Sequence, residues 1–310
     1  MSILRPFLTP LGSARRVLHT AHQNELFYMK LGIVVPLRCE SACLDTRMDI
    51  KPGSVQEIGN KLVYCSGVGA NNAERAAQSL VESGVDALVS WGVAGALDPD
   101  LVSGDIVLPT HVMDGVNGQQ YQVDQRWRMA LKHALGRKCV PSVGRIVSTQ
   151  MVQADPQGKA ALHSATQAVA VDMESAAVAK VASETGKPFI VIRSIFDTFA
   201  MGLPVSALGA ADPYGNVSML KLISGLLKNP KEIIHYPALI RSSIRAEKGL
   251  RKVRELCGDE LRCDFLSTVD AENPVASLGR PFFRLIPRWS FTRWGSGPIA
   301  SMESKANMTY

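Results

Sequence analysis

Short apolar runs alternate with amphipathic stretches through the middle of this chain, and that alternation sets the first expectation. LGIVVPL (31–37) and KLVYCSG (61–67) are continuous apolar runs, the pattern of strands covered on both faces. ANNAERAAQSLVESG (70–84) carries Ala73, Ala76, Ala77, Leu80 and Val81 at helical spacing, with Gly84 as a stop. VDALVSWG (85–92) and GDIVLPTHVMD (104–114) read as further strands. DMESAAVAKVASETG (172–186) reads as a helix closed by Gly186 with Pro188 beyond, and PFIVIRSIFD (188–197) as a strand ending in an acid. Strands alternating with helices imply an α/β fold, a sheet with helices on both faces.

The pattern changes past Asp212. NVSMLKLISGLL and the segment after Pro230 read as helices, whereas from Cys257 onward prolines interrupt any periodicity and an irregular tail, 257–310, is expected. At the other end, residues 1–28 carry Arg5, Arg15 and Arg16, no acid before Glu25, and no long apolar region of a secretory signal. Met29-Lys30 followed by LGIVVPL has the form of a natural start, so 1–28 is expected to be a disordered extension or an overlong start. The domain proper is expected over 29–227, followed by a basic helical segment, 228–256.

Composition narrows the class. The chain has 310 residues, 46% of them hydrophobic, enough for a substantial core, and a formal net charge of +6. No run of about twenty apolar residues reads as a membrane span. The six cysteines form no CxxC pair and none stands at metal-ligand spacing from a histidine, which points to reduced cytoplasmic thiols and no metal. Residues 228–255 hold eight Lys and Arg against three Glu. Such a segment suits an acidic partner, nucleic acid or an anionic membrane surface, and by itself reads more plainly as a solvated helix face.

Candidate chemistry collects at the ends of strands, where open α/β sheets bind ligands. Gly67 and Gly69 in SGVG, and Gly92, Val93 and Ala94 in GVAGA, would let backbone come close to a ligand. Each is equally readable as an ordinary turn or crossover. A dinucleotide fingerprint is not met, because GVGANN lacks the third glycine and no acid ends the next strand. Glu174 at a helix start and Asp197 at a strand end are, singly, cap or turn residues. Together they suit cleavage of an N-glycosidic bond, in which a carboxylic acid protonates the leaving base and a carboxylate holds the ribose hydroxyls. Glu40 could position and activate water, or be a surface acid.

Jointly these motifs resemble the superfamily of purine-nucleoside phosphorylases and methylthioadenosine/S-adenosylhomocysteine nucleosidases. The resemblance rests on MKLGIVVPLRCE, SGVG before an Ala-rich helix, GVAGALDPDLVSGDIVLP and AVDMESAAVAKVASETGKPFIVIRSIFD, and spans about 29–254. It implies a three-layer sandwich with a central mixed sheet. It assigns ribose to Met173 and Glu174, N7 protonation to Asp197, water activation to Glu40, and the base pocket to Met151 and Val152. No metal or organic cofactor is implied. The superfamily often has Ser where this chain has Val93, which weakens phosphate as a cosubstrate, although amides at Gly67, Gly69 and Gly92 could still hold it.

Within the superfamily, LDPDLVSGDIVLP, AVDMES and LPVSALGAADPYGNVSMLKLISGLLKNP before a basic helix resemble the hopanoid-associated phosphorylase group. That group releases adenine from adenosylhopane, which implies a lipid-linked nucleoside substrate, no nucleic-acid partner, and a cytoplasmic protein whose basic helix, with Leu239, Ile240 and Ile244, rests on an anionic membrane; the superfamily, whose subunits commonly pair, implies a homodimer. The alternatives are a methylthioadenosine/S-adenosylhomocysteine nucleosidase and a non-catalytic nucleoside-binding module; a nicotinamide-dependent dehydrogenase is the remaining rival.

Overall fold

The structure, a computed structural model, describes residues 29–45, 51–216, 218–259 and 261–262. The expectations for 1–28 and for nearly all of 257–310 lie outside these residues. The described residues all fall in one compact unit.

The apolar runs become the middle of a mixed sheet. β1 (Leu31–Val35), wholly buried, lies between β3 (Lys61–Cys65) and β4 (Ala87–Ala96), parallel to both. β2 (Val55–Ile58) closes one edge, antiparallel to β3. β4 is the hinge of the architecture. Its first part pairs in parallel with β10 (Phe189–Ile195), and its last residues turn to pair antiparallel with β9 (Ala170–Asp172). From β9 the sheet continues through β8 (Arg145–Ser148), β6 (His111–Asp114) and β7 (Gln120–Gln122).

The run 104–114, expected as one strand, is two. β5 (Ile106–Val107) pairs with β10, and the chain breaks around Pro109 before β6 joins β8. Proline has no N–H to give to a ladder, so the break falls where the chain changes partner.

Two apolar layers flank the sheet. On one face α2 (Ala70–Glu82) and α5 (Ser175–Thr185) pack through Ala73, Ala76, Ala77, Leu80, Val178 and Val181 against Val34, Leu88 and Val191. Small residues let these helices approach the strands closely. On the other, α3 (Gln125–Leu135) and α8 (Tyr236–Cys257) bring Trp127, Leu131, Leu250 and Val253 against Ile106, Ile190 and Ile192. Hence the C-terminal half of the basic segment is one wall of the core. Its backbone at Gly249 lies so close to β10 that an added Cβ would stand 2.5 Å from Ser194 Oγ and 2.6 Å from Gly104 O. The short helix α1 (Arg38–Ser41) follows β1, α4 (Pro156–Thr166) follows β8, and α6 (Val205–Ala210) and α7 (Met219–Lys228) lead through a 3₁₀ segment, Pro230–His235, into α8.

Candidate active site

β1, β4, β9 and β10 deliver their ends to one region, and the residues found there are mostly acids and one arginine. Glu40 is one helical turn past β1 and only 2% exposed. Its Oε2 accepts the Leu37 N–H at 2.8 Å, and its Oε1 accepts the Val93 N–H at 2.7 Å. Glu174 sits at the N-cap of α5, and its Oε1 accepts the Gly69 N–H at 2.8 Å. Asp197 follows β10, and its main-chain carbonyl accepts the Ala96 N–H at 2.8 Å. All three carboxylates are buried.

Arg193, on β10 and fully buried, ties the acids together. Its Nε donates to Asp172 Oδ2 at 2.8 Å, and its Nη2 donates to Ser90 Oγ at 2.8 Å and to Ser175 Oγ at 3.1 Å. Nη2 also lies 3.8 Å from Glu174 Oε2. Asp172 is held in turn by Ser148 Oγ and Ser175 Oγ, and it accepts the amides of Glu174 and Ser175 at the start of α5. One atom of the guanidinium is left over. Among the described residues, the buried side-chain N or O atoms with no partner are Arg193 Nη1 and Ser194 Oγ. Nη1 and Glu40 Oε1 each lie 2.7 Å from the point where a Cβ on Gly92 would stand. A buried donor left unpaired costs free energy, and this one borders Gly92 together with the Glu40 carboxylate.

Asp197 has a cation of its own. Lys159, from α4 and wholly buried, places Nζ 2.5 Å from Asp197 Oδ2 and donates to the carbonyls of Thr198 at 2.7 Å and Met201 at 2.9 Å. All three ammonium protons are therefore used.

Burial dominates the electrostatics. It pushes the Glu40 carboxyl up to about 8, against the opposing pull of Arg193 and the Val93 amide. Burial, then the neighbouring Asp172, raises Glu174. Asp197 is also raised by burial, with Lys159 pulling the other way. Buried carboxyls raised in this way are poised to take up or release protons near neutral pH.

Of the residues singled out from sequence, Glu40, Glu174, Asp197, Gly69, Gly92 and Val93 are brought together here. Met173 is half-buried beside Glu174, and Ala94 lies opposite Ile195 on β10. Met151 and Val152 follow β8 and are exposed. Two amides considered for an anion are occupied: Gly67 N–H donates to Pro36 O at 3.1 Å, and Gly69 N–H is taken by Glu174. Residues 212–216 also return across this turn, where Val68 N–H donates to Pro213 O. Arg193 and Lys159 were not singled out from sequence, and Asp172 was noted beside Met173 and Glu174 without a role. A charge inside the apolar run FIVIRSI was a signal for Arg193, whereas nothing marked Lys159. A cleft of about 610 Å³ between residues 119–125 and the end of α5 contains none of these groups. Among the described residues no cluster of His, Cys, Asp and Glu could hold a metal, and the described cysteines are all free.

The fold and site define a nucleoside-phosphorylase architecture, and comparison with known proteins agrees. The model of the Phosphorylase superfamily matches residues 54–208, and the chain belongs to that superfamily. A 5'-methylthioadenosine/S-adenosylhomocysteine nucleosidase of Shewanella pealeana is 30% identical over 207 residues, covering 57% of this chain and 90% of the relative. Among solved structures, S-adenosylhomocysteine nucleosidase of Streptococcus pyogenes in complex with 5-methylthiotubericidin superposes with a TM-score of 0.55 at 22% identity, over 74% of this chain and 97% of that one. Futalosine hydrolase of Helicobacter pylori gives a TM-score of 0.52 at 20% identity, over 73% of this chain and 97% of that one. These structural likenesses establish the fold.

Proposed function

We propose that this protein cleaves the N-glycosidic bond of a purine nucleoside with water as acceptor. The observation that carries the reading is the unpaired Arg193 Nη1 facing the same point as Glu40 Oε1. A water bridging the two groups beside Gly92 would accept from Nη1 and donate to Glu40. Asp197, in its protonated form, gives its proton to N7 as the bond from C1' to the base breaks. Glu174 accepts from the ribose hydroxyls, with Met173 against the sugar. The water oxygen joins C1' and its proton passes to the Glu40 carboxylate, so base and free sugar leave. Glu40 and Asp197 then recover their starting protonation by exchange with solvent. Phosphate fits less well, because the Gly67 and Gly69 amides are engaged and Val93 has no hydroxyl.

The finer reading is adenine release from adenosylhopane. Its support is the resemblance in 203–230. It takes in a homodimer in the cytoplasm and peripheral contact with an anionic membrane. A methylthioadenosine/S-adenosylhomocysteine nucleosidase is the second reading, favoured by the relative that is 30% identical.

Adenine release from adenosylhopane and from methylthioadenosine, each with and without phosphate, tests both. Release that is independent of phosphate and falls about 10²–10⁴-fold in Asp197→Asn is expected. Phosphate dependence would overturn water as acceptor, and turnover of methylthioadenosine alone would leave the second reading. No release from either would leave a nucleoside-binding module.

A further inference from the structure

More than half of the exposed large aliphatic side chains among the described residues lie between 205 and 244. They concentrate on α7 and the 3₁₀ segment after it. On α7, Leu220, Ile223 and Leu227 recur at helical spacing and are 82%, 50% and 79% exposed. The opposite side of the helix faces α6, where a Cβ on Gly225 would meet Ser206 Cβ at 2.7 Å. Ile233 and Ile234 continue the apolar surface, at 60% and 72% exposed.

These elements are one assembly. Ser206 of α6 touches α7 at Gly225, donates to Glu232 of the 3₁₀ segment, and lies 2.9 Å from the Tyr236 hydroxyl at the start of α8. The arrangement is thus braced from below while its aliphatic side is uncovered.

Charge says what covers it. Lys221 and Lys228, seven residues apart, flank the same side of the α7 stripe, and Lys231 stands in the 3₁₀ segment with Ile233 and Ile234. Among the described residues none of these side chains makes an ion pair. Between Asp212 and Glu247 the sequence holds a single acid, Glu232, and its carboxylate is taken by the Ser206 amide and hydroxyl. A second copy meeting this face about a two-fold axis would set these cations near their own counterparts with no acid to answer them, and lysine is depleted from protein interfaces. An aliphatic stripe bordered by long cationic side chains instead matches a bilayer surface, with the stripe at the acyl boundary and the ammonium groups reaching back to anionic headgroups.

We infer that α7 and the 3₁₀ segment Pro230–His235 form a docking surface for an anionic lipid bilayer. This rests on the membrane contact proposed above and deepens it by assigning the surface to α7 and the 3₁₀ segment, not to α8.

The test is flotation of the full chain with phosphatidylcholine vesicles, with and without phosphatidylglycerol, at low salt. Wild type should bind the anionic vesicles. Leu220→Glu with Leu227→Glu should lower that binding about tenfold or more. Joint Lys221→Gln, Lys228→Gln and Lys231→Gln should lower it about a hundredfold. Both leucines are largely exposed, so thermal unfolding should be unchanged. Release of base from a soluble nucleoside should be unchanged too, which separates failure of docking from failure of the reaction. Absence of binding to anionic vesicles, equal binding to neutral ones, or binding that survives the leucine changes would overturn the inference. So would self-association in sedimentation that disappears in the leucine variant without any vesicle binding, since a second copy would then be the occupant.

Discussion

Lys159 Nζ lies 2.5 Å from Asp197 Oδ2, and both side chains are buried. The lysine also grips both ends of the 198–201 turn through the Thr198 and Met201 carbonyls. It therefore fixes the carboxylate and the backbone that carries it, leaving Oδ1 as the oxygen that can face a base. Lys159→Met removes one partner of a buried pair and should destabilise the protein by about 3–5 kcal/mol. Without the cation, burial raises Asp197 further, so its acid form persists to higher pH. The alkaline limb of kcat/KM should move upward in this variant. The loss of stability should be larger at mildly alkaline than at mildly acidic pH, because a protonated Asp197 has less need of the cation. Chemical denaturation at two pH values and a pH–rate profile check both effects. A profile with an unmoved alkaline limb would reduce Lys159 to a packing residue.

Gly92 should tolerate no side chain. A Cβ would stand 2.7 Å from both Arg193 Nη1 and Glu40 Oε1 and 3.0 Å from Glu40 Cδ. Gly92→Ala should push these groups apart and lower kcat about 10²-fold through misplacement of the water site. Steady-state kinetics beside a melting curve separate this from unfolding.

The buried carboxyls make stability fall with rising pH. Glu40 is ionised in the unfolded chain above about 4.5. In the folded protein its carboxyl holds a proton up to about 8. The native state thus binds more protons across that window, and its advantage is present below it and lost through it as pH rises. Glu174 shifts in the same direction. Melting temperature should fall from pH 5 to pH 8, and Glu40→Gln should flatten that fall while abolishing the water reaction. Calorimetry of the two proteins across this range decides it.

Replacing Arg193 by Met should unfold or strongly destabilise the chain, by about 3–5 kcal/mol, because Asp172 and Glu174 would lose their buried cation. Arg193→Lys keeps the charge but cannot reach Asp172, Ser90 and the water point together. It should fold better than Met at this position while losing activity to a similar degree, as denaturation and rate measurements on the two variants would report.

The central strands were legible because parallel neighbours bury both faces, which forces continuous apolar runs such as LGIVV and FIVI. Glu40, Glu174 and Asp197 were legible because each stands just past such a run or at a helix start. The division of 104–114 into two strands was not anticipated, since pairing partners decide it and only Pro109 hinted at it. β7, α3 and α4 have weaker patterns and went unread. Lys159 was invisible for a physical reason: a lysine in PQGKAALHS reads as solvated, and its burial arises from a turn some forty residues further on that supplies its acceptors.

Gly249 gives the tight contact of α8 on β10 a wider meaning. The superfamily model matches 54–208, yet the strand bearing Arg193 is sealed by Leu250 and Val253, beyond that span. The matched span and the cooperative folding unit are therefore different lengths of chain. A fragment trimmed to the matched region would expose Ile190 and Ile192 to water, so the C-terminal helix is part of what keeps the strand bearing Arg193 folded.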